Sequence, residues 1–200
     1  MCFKPNERFI SIVLSVLGIS FFLWASGLFG IWMNGISYFS KNVDAYYNNG
    51  SPVEGKYSVS IDLSDLKSNE GKVVYEDGKN QIYVSKVFNN DESGYEVSFR
   101  SSGNYHMNGA TLVSAIQHVP TDNDFTGIPE VTAVGAYRGK TFTLSPSGTS
   151  GLNFRDGDEF GFYLFPTDKD IEVDLEKDET IEIILSNLYL NIWVAKRLFQ

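Results

Sequence analysis

Residues Phe9 to Met33 read FISIVLSVLGISFFLWASGLFGIWM, a run of 25 residues without a charged side chain. About 20 apolar residues in a helix cross the hydrocarbon core of a bilayer, so this run is long enough to span a membrane with some tilt. A helix suits that environment because it satisfies its own backbone hydrogen bonds where water is absent. The stretch therefore predicts one transmembrane helix at residues 9–33, with Trp32 near the water–lipid interface.

A cleaved signal peptide is the competing interpretation of this segment. Ala25-Ser26-Gly27 would permit cleavage after Gly27. The apolar run continues through Trp32, however, and exceeds the roughly 7–15 residues of a typical signal-peptide core, which favours an uncleaved signal-anchor. Lys4 and Arg8 precede the span and only Lys41 follows it closely, so the positive-inside rule places the N-terminus in the cytoplasm. The remainder of the chain is then predicted to be extracytoplasmic.

The segments that flank the span have different characters. Residues 1–8 form a short N-terminal flank, and residues 34–52 are predicted to be a stalk or an extension of the helix. Ile36, Phe39 and Val43 recur there at steps of three and four residues, which is a helical spacing. The run Asn48–Pro52 contains Gly and Pro, which end helices, so a β-rich soluble domain is predicted from residue 53 to residue 200.

Most of that domain alternates apolar and polar residues, the pattern of half-buried strands. The predicted strands are Lys56–Asp62, Lys72–Glu76, Gln81–Phe88, Tyr95–Arg100, Val131–Tyr137, Thr141–Leu144, Glu159–Phe165, Ile171–Leu175 and Thr180–Leu185. Asp77-Gly78 predicts a hairpin turn. Only Ala110–His118 suggests a helical or mixed segment. Residues 187–199 fit a closing strand better than the alternative, an amphipathic helix. Because crossover helices are missing from the pattern, we expect a mainly β fold, an antiparallel β-sandwich or jelly roll behind the N-terminal helix.

Charge and cysteine content exclude several classes of function. The formal net charge is −9, and because residues 1–40 carry +1, residues 41–200 carry −10. An acidic surface repels phosphate backbones, so nucleic-acid binding is not expected. The single cysteine, Cys2, precedes the span. The domain therefore has no internal disulfide, no thiolate nucleophile and no cysteine metal site.

Two acidic loops raise the possibility of calcium binding. Asp122 and Asp124 lie in one loop, and Asp156 and Asp158 lie in another. The first loop is not an EF-hand, because the position of the bidentate Glu is occupied by Ala133. Loops of a β-sandwich bind calcium through such oxygens if the two clusters converge, whereas solvated turns explain the same residues equally simply. Calcium is the single cofactor hypothesis, with these four aspartates as its ligands.

Catalytic motifs are not found in the sequence. His106 and His118 do not match a compact zinc spacing, and the glycine patterns that bind nucleotide phosphates are missing. Ser145–Gly151 lacks the spacing of a nucleophile elbow. We therefore expect a non-enzymatic, membrane-anchored ectodomain that binds or assembles with another envelope or surface component. The partners would be lipid around residues 9–33 and a protein partner or a second copy.

Two other functions are alternatives. One is an accessory subunit of a larger membrane complex, contacting its partners through the span and the apolar C-terminus. The other is a surface glycan hydrolase that uses two of the many carboxylates. The layout of a long apolar helix, a stalk and a β-domain resembles that of pilin-like subunits in architecture. The processing glycine directly before a Phe-led span is missing at Glu7-Arg8-Phe9, so no pilin function is carried over.

Overall fold

The computed structural model describes residues 7–90, 94–121, 125–165 and 179–196. Three helices come first, α1 (Glu7–Ala25), α2 (Leu28–Asn34) and α3 (Ile36–Lys41), and a short 3-10 helix lies at Leu66–Asn69. The strands are β1 (Tyr46–Asp62), β2 (Val73–Glu76), β3 (Gln81–Asn90), β4 (Gly94–Ser102), β5 (Asn104–His106), β6 (Gly109–Ser114), β7 (Ile116–Pro120), β8 (Phe125–Pro129), β9 (Thr132–Tyr137), β10 (Lys140–Thr143), β11 (Ser145–Thr149), β12 (Glu159–Tyr163) and β13 (Thr180–Ala195).

The apolar N-terminal run forms helices, but not one continuous helix. Within the described residues, Arg8–Ala25 is long and apolar enough to cross a membrane, with a mean hydropathy of 2.0 and no buried residue. Gly27 adopts the left-handed conformation, with φ 75°, and separates α1 from α2. Only glycine adopts that conformation at little cost. The predicted helix at 9–33 is therefore divided into a long exposed helix and a short second one.

The predicted stalk is short and is followed at once by the sheet. Helix α3 ends at Lys41, and β1 begins at Tyr46 and pairs with β13 from Tyr46↔Ala195 to Asp62↔Thr180. Residues 46–52 of the predicted stalk or helix extension therefore lie in a strand. The partner strand lies more than a hundred residues away in sequence, so local periodicity could not reveal this pairing.

The fold is mainly β, as predicted, and every pairing between the described strands is antiparallel. In the described part of the chain, one sheet has the order β10-β9-β13-β6-β5, with β1 also paired to β13. A second sheet has the order β11-β12-β4-β3-β2, and β7 and β8 form a separate pair. The segment Glu159–Tyr163 is thus an interior strand of the second sheet.

Strand β13 organises the first sheet. One of its edges pairs with β1, and the other pairs first with β9 through Glu182–Ser186 and then with β6 through Tyr189–Val194. Asn187 separates these two halves and has a positive φ of 58°. Opposite Asn187, the register of β1 shifts between Val53 and Lys56, an irregularity of the β-bulge kind. The predicted closing strand is therefore confirmed over residues 187–195, and the amphipathic-helix alternative is wrong there.

The observed structure of several short segments differs from, or confirms, the structure that their local sequence predicts. Ala110–His118 is not helical, since it lies in β6 and β7, whose pairing with β13 and β8 overrides the local pattern. Strands β5, β8 and β11 were not predicted, because their short sequences carry little alternation. The Asp77-Gly78 turn is confirmed, and the Asp77 carboxylate accepts hydrogen bonds from the backbone of Lys79 and Asn80 at 2.8 and 2.7 Å. The strand predicted at Ile171–Leu175 lies outside the described residues.

Two clusters of buried apolar side chains stabilise the domain. The larger combines side chains of both main sheets, such as Ile61 and Ile183 from the first sheet and Val84 and Phe99 from the second. The smaller lies where the N-terminal helices meet the first sheet. The second cluster decides how the apolar helix is joined to the domain.

Candidate functional site

The smaller cluster, here called the helix-docking site, joins the helices to the β-domain. It comprises Ile31, Ile36 and Phe39 from the helices and Ala110, Leu112, Leu152 and Trp193 from the domain. Ile36 and Phe39 are 0% and 1% exposed, and Trp193 is 1% exposed. Fully burying a side chain of this size contributes about 1.5–3 kcal/mol, so α3 is held firmly against the sheet.

A glycine corner brings the helices into contact with the domain backbone. Gly35 lies between α2 and α3 with φ 57° and ψ −131°. The amide of Ile36 donates a hydrogen bond to the carbonyl of Arg155 at 2.8 Å. A Cβ atom at Gly35 would lie only 1.8 Å from that carbonyl oxygen. The corner therefore requires glycine both for its backbone conformation and for the close approach of two backbone segments.

The loop that carries Arg155 is fixed to the second sheet by Asp156. The Asp156 carboxylate forms an ion pair with Arg100 and accepts a hydrogen bond from the Ser102 hydroxyl at 2.9 Å. The Arg100 guanidinium lies 3.5 Å from the centre of the Phe154 ring, on the same loop. Both contacts hold the Arg155 carbonyl in place for the helix corner, so this carboxylate positions the loop.

Asp158 holds the far end of the same loop from inside the domain. Its side chain is fully buried, and Oδ2 accepts a hydrogen bond from the Ser114 hydroxyl at 2.7 Å and lies 2.8 Å from Nε2 of His118. With an ionised Asp158, which only accepts hydrogen bonds, the donor in this contact is the Nε2–H tautomer of His118. Asn191 holds the strand that carries His118: its side-chain Oδ1 accepts a hydrogen bond from the His118 backbone amide at 2.8 Å. Ser114, His118, Asp158 and Asn191 form the buried polar cluster.

The buried polar cluster touches the helix-docking site through Trp193. The centres of the Trp193 and His118 rings lie 6.3 Å apart. The Phe125 ring packs edge-on against the His118 ring, with 5.5 Å between their centres. Asp156 and Asp158 both follow Arg155 and flank Gly157; the Asp156 side chain is partly exposed and the Asp158 side chain is fully buried. The loop that carries these two aspartates contacts the helices through the Arg155 carbonyl, which accepts the hydrogen bond from Ile36.

Three aromatic side chains, Tyr38, Phe39 and Tyr46, close the side of the site next to α2. The Tyr46 ring packs edge-on against Phe39 at 4.9 Å and against Tyr38 at 6.2 Å. Burial, followed by the neighbouring Tyr38 phenol, raises the pKa of Tyr46. The Tyr38 ring in turn covers α2, since a Cβ atom at Gly30 would lie 2.3 Å from it. Helices α2 and α3 are therefore packed around Tyr38.

The buried polar cluster contains a serine, a histidine and an aspartate, but it lacks the geometry of a nucleophilic triad. In a triad the serine hydroxyl is hydrogen-bonded to the histidine, which acts as its base. Here the Ser114 hydroxyl donates to Asp158, and the His118 ring faces the same carboxylate oxygen. The side chains of His118 and Asp158 are 0% exposed. The arrangement stabilises the loop and gives no path for a substrate.

The structure describes two of the four predicted calcium ligands. Asp122 and Asp124 lie outside the described residues, while Asp156 and Asp158 are bonded to protein donors. Within the described ranges, no grouping of three or more His, Cys, Asp or Glu residues is arranged to hold a metal ion. Calcium binding by the four aspartates stays a prediction.

A shallow depression of about 270 Å³ on the second sheet contains two carboxylates, Glu96 and Glu159. Glu159 lies opposite Arg100 and accepts a hydrogen bond from Ser85 at 3.1 Å, whereas Glu96 lies opposite Tyr163. Four residues along a strand separate the two positions by on the order of 13 Å. The Glu96 side chain reaches along the depression, since its Oε1 lies 3.5 Å from the Cβ position of Gly161, two residues from Glu159, so glycoside hydrolysis stays a prediction.

The sequence analysis does not predict the helix-docking site. It predicts only a helical spacing at Ile36 and Phe39. Gly35, between two apolar segments, is the signal in the sequence that could have indicated a corner. Comparisons of the chain with protein-family models, with curated proteins and with solved structures found no match. The function is therefore inferred from the residues and their geometry alone.

Proposed function

We propose that this protein is a non-enzymatic, single-pass membrane protein whose β-sandwich ectodomain binds or assembles with another envelope or surface component. One observation carries the proposal. No residue of Arg8–Ala25 is buried, and the chain that leaves this helix enters the helix-docking site at Ile31, Ile36 and Phe39.

The exposure of α1 supports a lipid environment. Its large apolar side chains are 40–69% exposed, for example 62% at Phe9 and 69% at Trp24. A continuous apolar surface of this size on a soluble protein marks an interaction site, and a bilayer covers all sides of such a helix at once. The helix would then serve as the anchor and the helix-docking site as its connection to the domain.

The sandwich arrangement and the orientation are parts of the same proposal. The larger apolar cluster unites side chains of both main sheets, which supports face-to-face packing of the two. Lys4 and Arg8 before the span support a cytoplasmic N-terminus, with the acidic domain on the other side.

The absence of catalysis is supported by how the polar side chains are used. The side chains of His118 and Asp158 in the buried polar cluster are closed to solvent. The accessory-subunit alternative has less support, because the apolar C-terminal segment is part of the core: Leu188 and Trp193 are 0% and 1% exposed. A partner subunit would then contact the span or the polar faces of the sheets.

Anchoring is tested by membrane fractionation and by protease treatment of intact and permeabilised cells, using a C-terminal tag. We compare the native chain with Leu17→Lys, in the middle of α1, and with Val73→Lys, a matched change of an exposed residue on β2. Lysine at the centre of a span costs about 2.5–3.5 kcal/mol. We expect Leu17→Lys to shift the protein out of the alkali-resistant membrane fraction and Val73→Lys to leave it there.

Three results would contradict the proposal. Equal membrane retention of Leu17→Lys and the native chain would argue against a membrane span. Protection of the tag until permeabilisation would reverse the orientation. Recovery of a single uncrosslinked species after chemical crosslinking in intact membranes would contradict assembly with another component.

A further inference from the structure

Helix α2 has two different faces. Ile31 points into the helix-docking site and is 9% exposed, whereas Phe29, Trp32 and Met33 are 51%, 62% and 54% exposed. The latter three occupy positions i, i+3 and i+4 and therefore share one side of the helix. The Phe29 and Trp32 rings contact each other at 6.0 Å. This side of α2 is an apolar surface that the described residues leave uncovered.

The length of α1 indicates what lies next to that surface. Its 19 residues extend about 28 Å at 1.5 Å per residue, close to the hydrocarbon thickness of about 30 Å. A span that included α2 would reach Asn34 and extend about 42 Å, well beyond that thickness. Helix α2 therefore begins where the hydrocarbon core ends, and its exposed face continues the lipid-facing surface of α1.

We propose that α2 is an interfacial helix whose Phe29, Trp32 and Met33 side chains insert into the boundary between lipid headgroups and acyl chains. This inference rests on the proposed membrane anchor and adds that the bilayer contacts α2 as well as α1. Tryptophan favours that boundary, because its ring is apolar while its N–H can reach water or lipid oxygens.

Because α2 is packed against the domain, its contact with the bilayer also determines how the domain is oriented. Ile31 and Tyr38 pack α2 against the domain and α3, and the Gly35 corner joins them to the Arg155 carbonyl. A stalk would let the domain turn freely, whereas these contacts transmit the orientation of α2 to the whole domain. The β-domain is then held directly at the membrane surface at a defined tilt.

The test uses the full chain in phosphatidylcholine vesicles that contain lipids brominated near the headgroup or near the chain end. Trp24→Phe leaves Trp32 as the exposed reporter, and the matched variant Trp32→Phe leaves Trp24. Trp193 is buried in both variants and reports an intact fold. We expect shallow bromines to quench Trp32 more strongly than deep ones, and aqueous iodide to quench it weakly.

The other outcomes distinguish the two proposals. If lipid quenches Trp24 but not Trp32, α1 is still an anchor and the interfacial role of α2 is refuted. The face would then be left for another protein or a second copy. If lipid quenches neither tryptophan, the membrane anchor itself is refuted, and the inference with it.

Discussion

The substitution Gly35→Ala examines the helix-docking site most directly. The new methyl group would lie 1.8, 2.5 and 2.7 Å from the carbonyl oxygen, carbonyl carbon and Cα of Arg155. All three are backbone atoms, so no side chain can rotate away. Alanine at φ 57° and ψ −131° is also strained, which costs about 1–3 kcal/mol. The corner between α2 and α3 must therefore move away from the loop.

That movement adds to the strain. The hydrogen bond from Ile36 to Arg155 is lost, at a net cost of about 0.5–1.5 kcal/mol. Part of the burial of Ile36 and Phe39 is lost as well, where each fully buried side chain is worth about 1.5–3 kcal/mol. We expect the free energy of unfolding to fall by about 3–5 kcal/mol in total, from the sum of these contributions.

The matched control is Gly78→Ala in the hairpin turn. Gly78 has φ 82°, and nothing lies within 4 Å of its Cβ position, so only the backbone strain of about 1–2 kcal/mol applies. Both variants are measured by urea unfolding in mild detergent, followed by Trp193 emission after Trp24 and Trp32 are replaced by Phe. Trp193 lies in the docking site itself. If Gly35→Ala destabilises no more than Gly78→Ala, the close backbone contact is refuted.

Further predictions concern the buried and titratable side chains. Asp158→Ala removes the buried hydrogen-bond partner of Ser114 and His118 and should lower the free energy of unfolding by about 3–5 kcal/mol. The control is Asp65→Ala at the exposed cap of the 3-10 helix, which should lower it by about 1 kcal/mol. The loss at Asp158 should be equal in calcium and in chelator, and a loss seen only in calcium would support Asp158 as a calcium ligand. Burial, and then the hydrogen bond to Asp77, raises the pKa of Tyr75 to about 12, which an absorbance titration of tyrosinate should show as a phenol that ionises near pH 12. Since this pKa is raised on folding, its contribution to stability is complete below about pH 10 and disappears as the pH rises through about 12. Asp77→Asn should lower that pKa, and an unchanged titration would contradict the contact.

The acidic loop illustrates how a composition signal and its structural use differ. Asp156 and Asp158 resemble metal ligands in sequence, because two carboxylates near a glycine are common in calcium loops. The structure gives each of them protein donors, Arg100 and Ser102 for the first and Ser114 and His118 for the second. Those donors lie on other strands, so only the folded chain brings them to the carboxylates.

Local composition was sufficient for the apolar helix, the mainly β character and the Asp77-Gly78 turn. Each depends on residues adjacent in sequence: hydropathy over one run, alternation within a strand, and the backbone freedom of one glycine. Tertiary structure decided the rest. The path of residues 46–52, strand β6 at the start of Ala110–His118 and the docking of Ile36 and Phe39 all depend on β13 or on the Arg155 loop. Those partners lie far away along the chain, and their energies arise only when burial and backbone pairing bring them together.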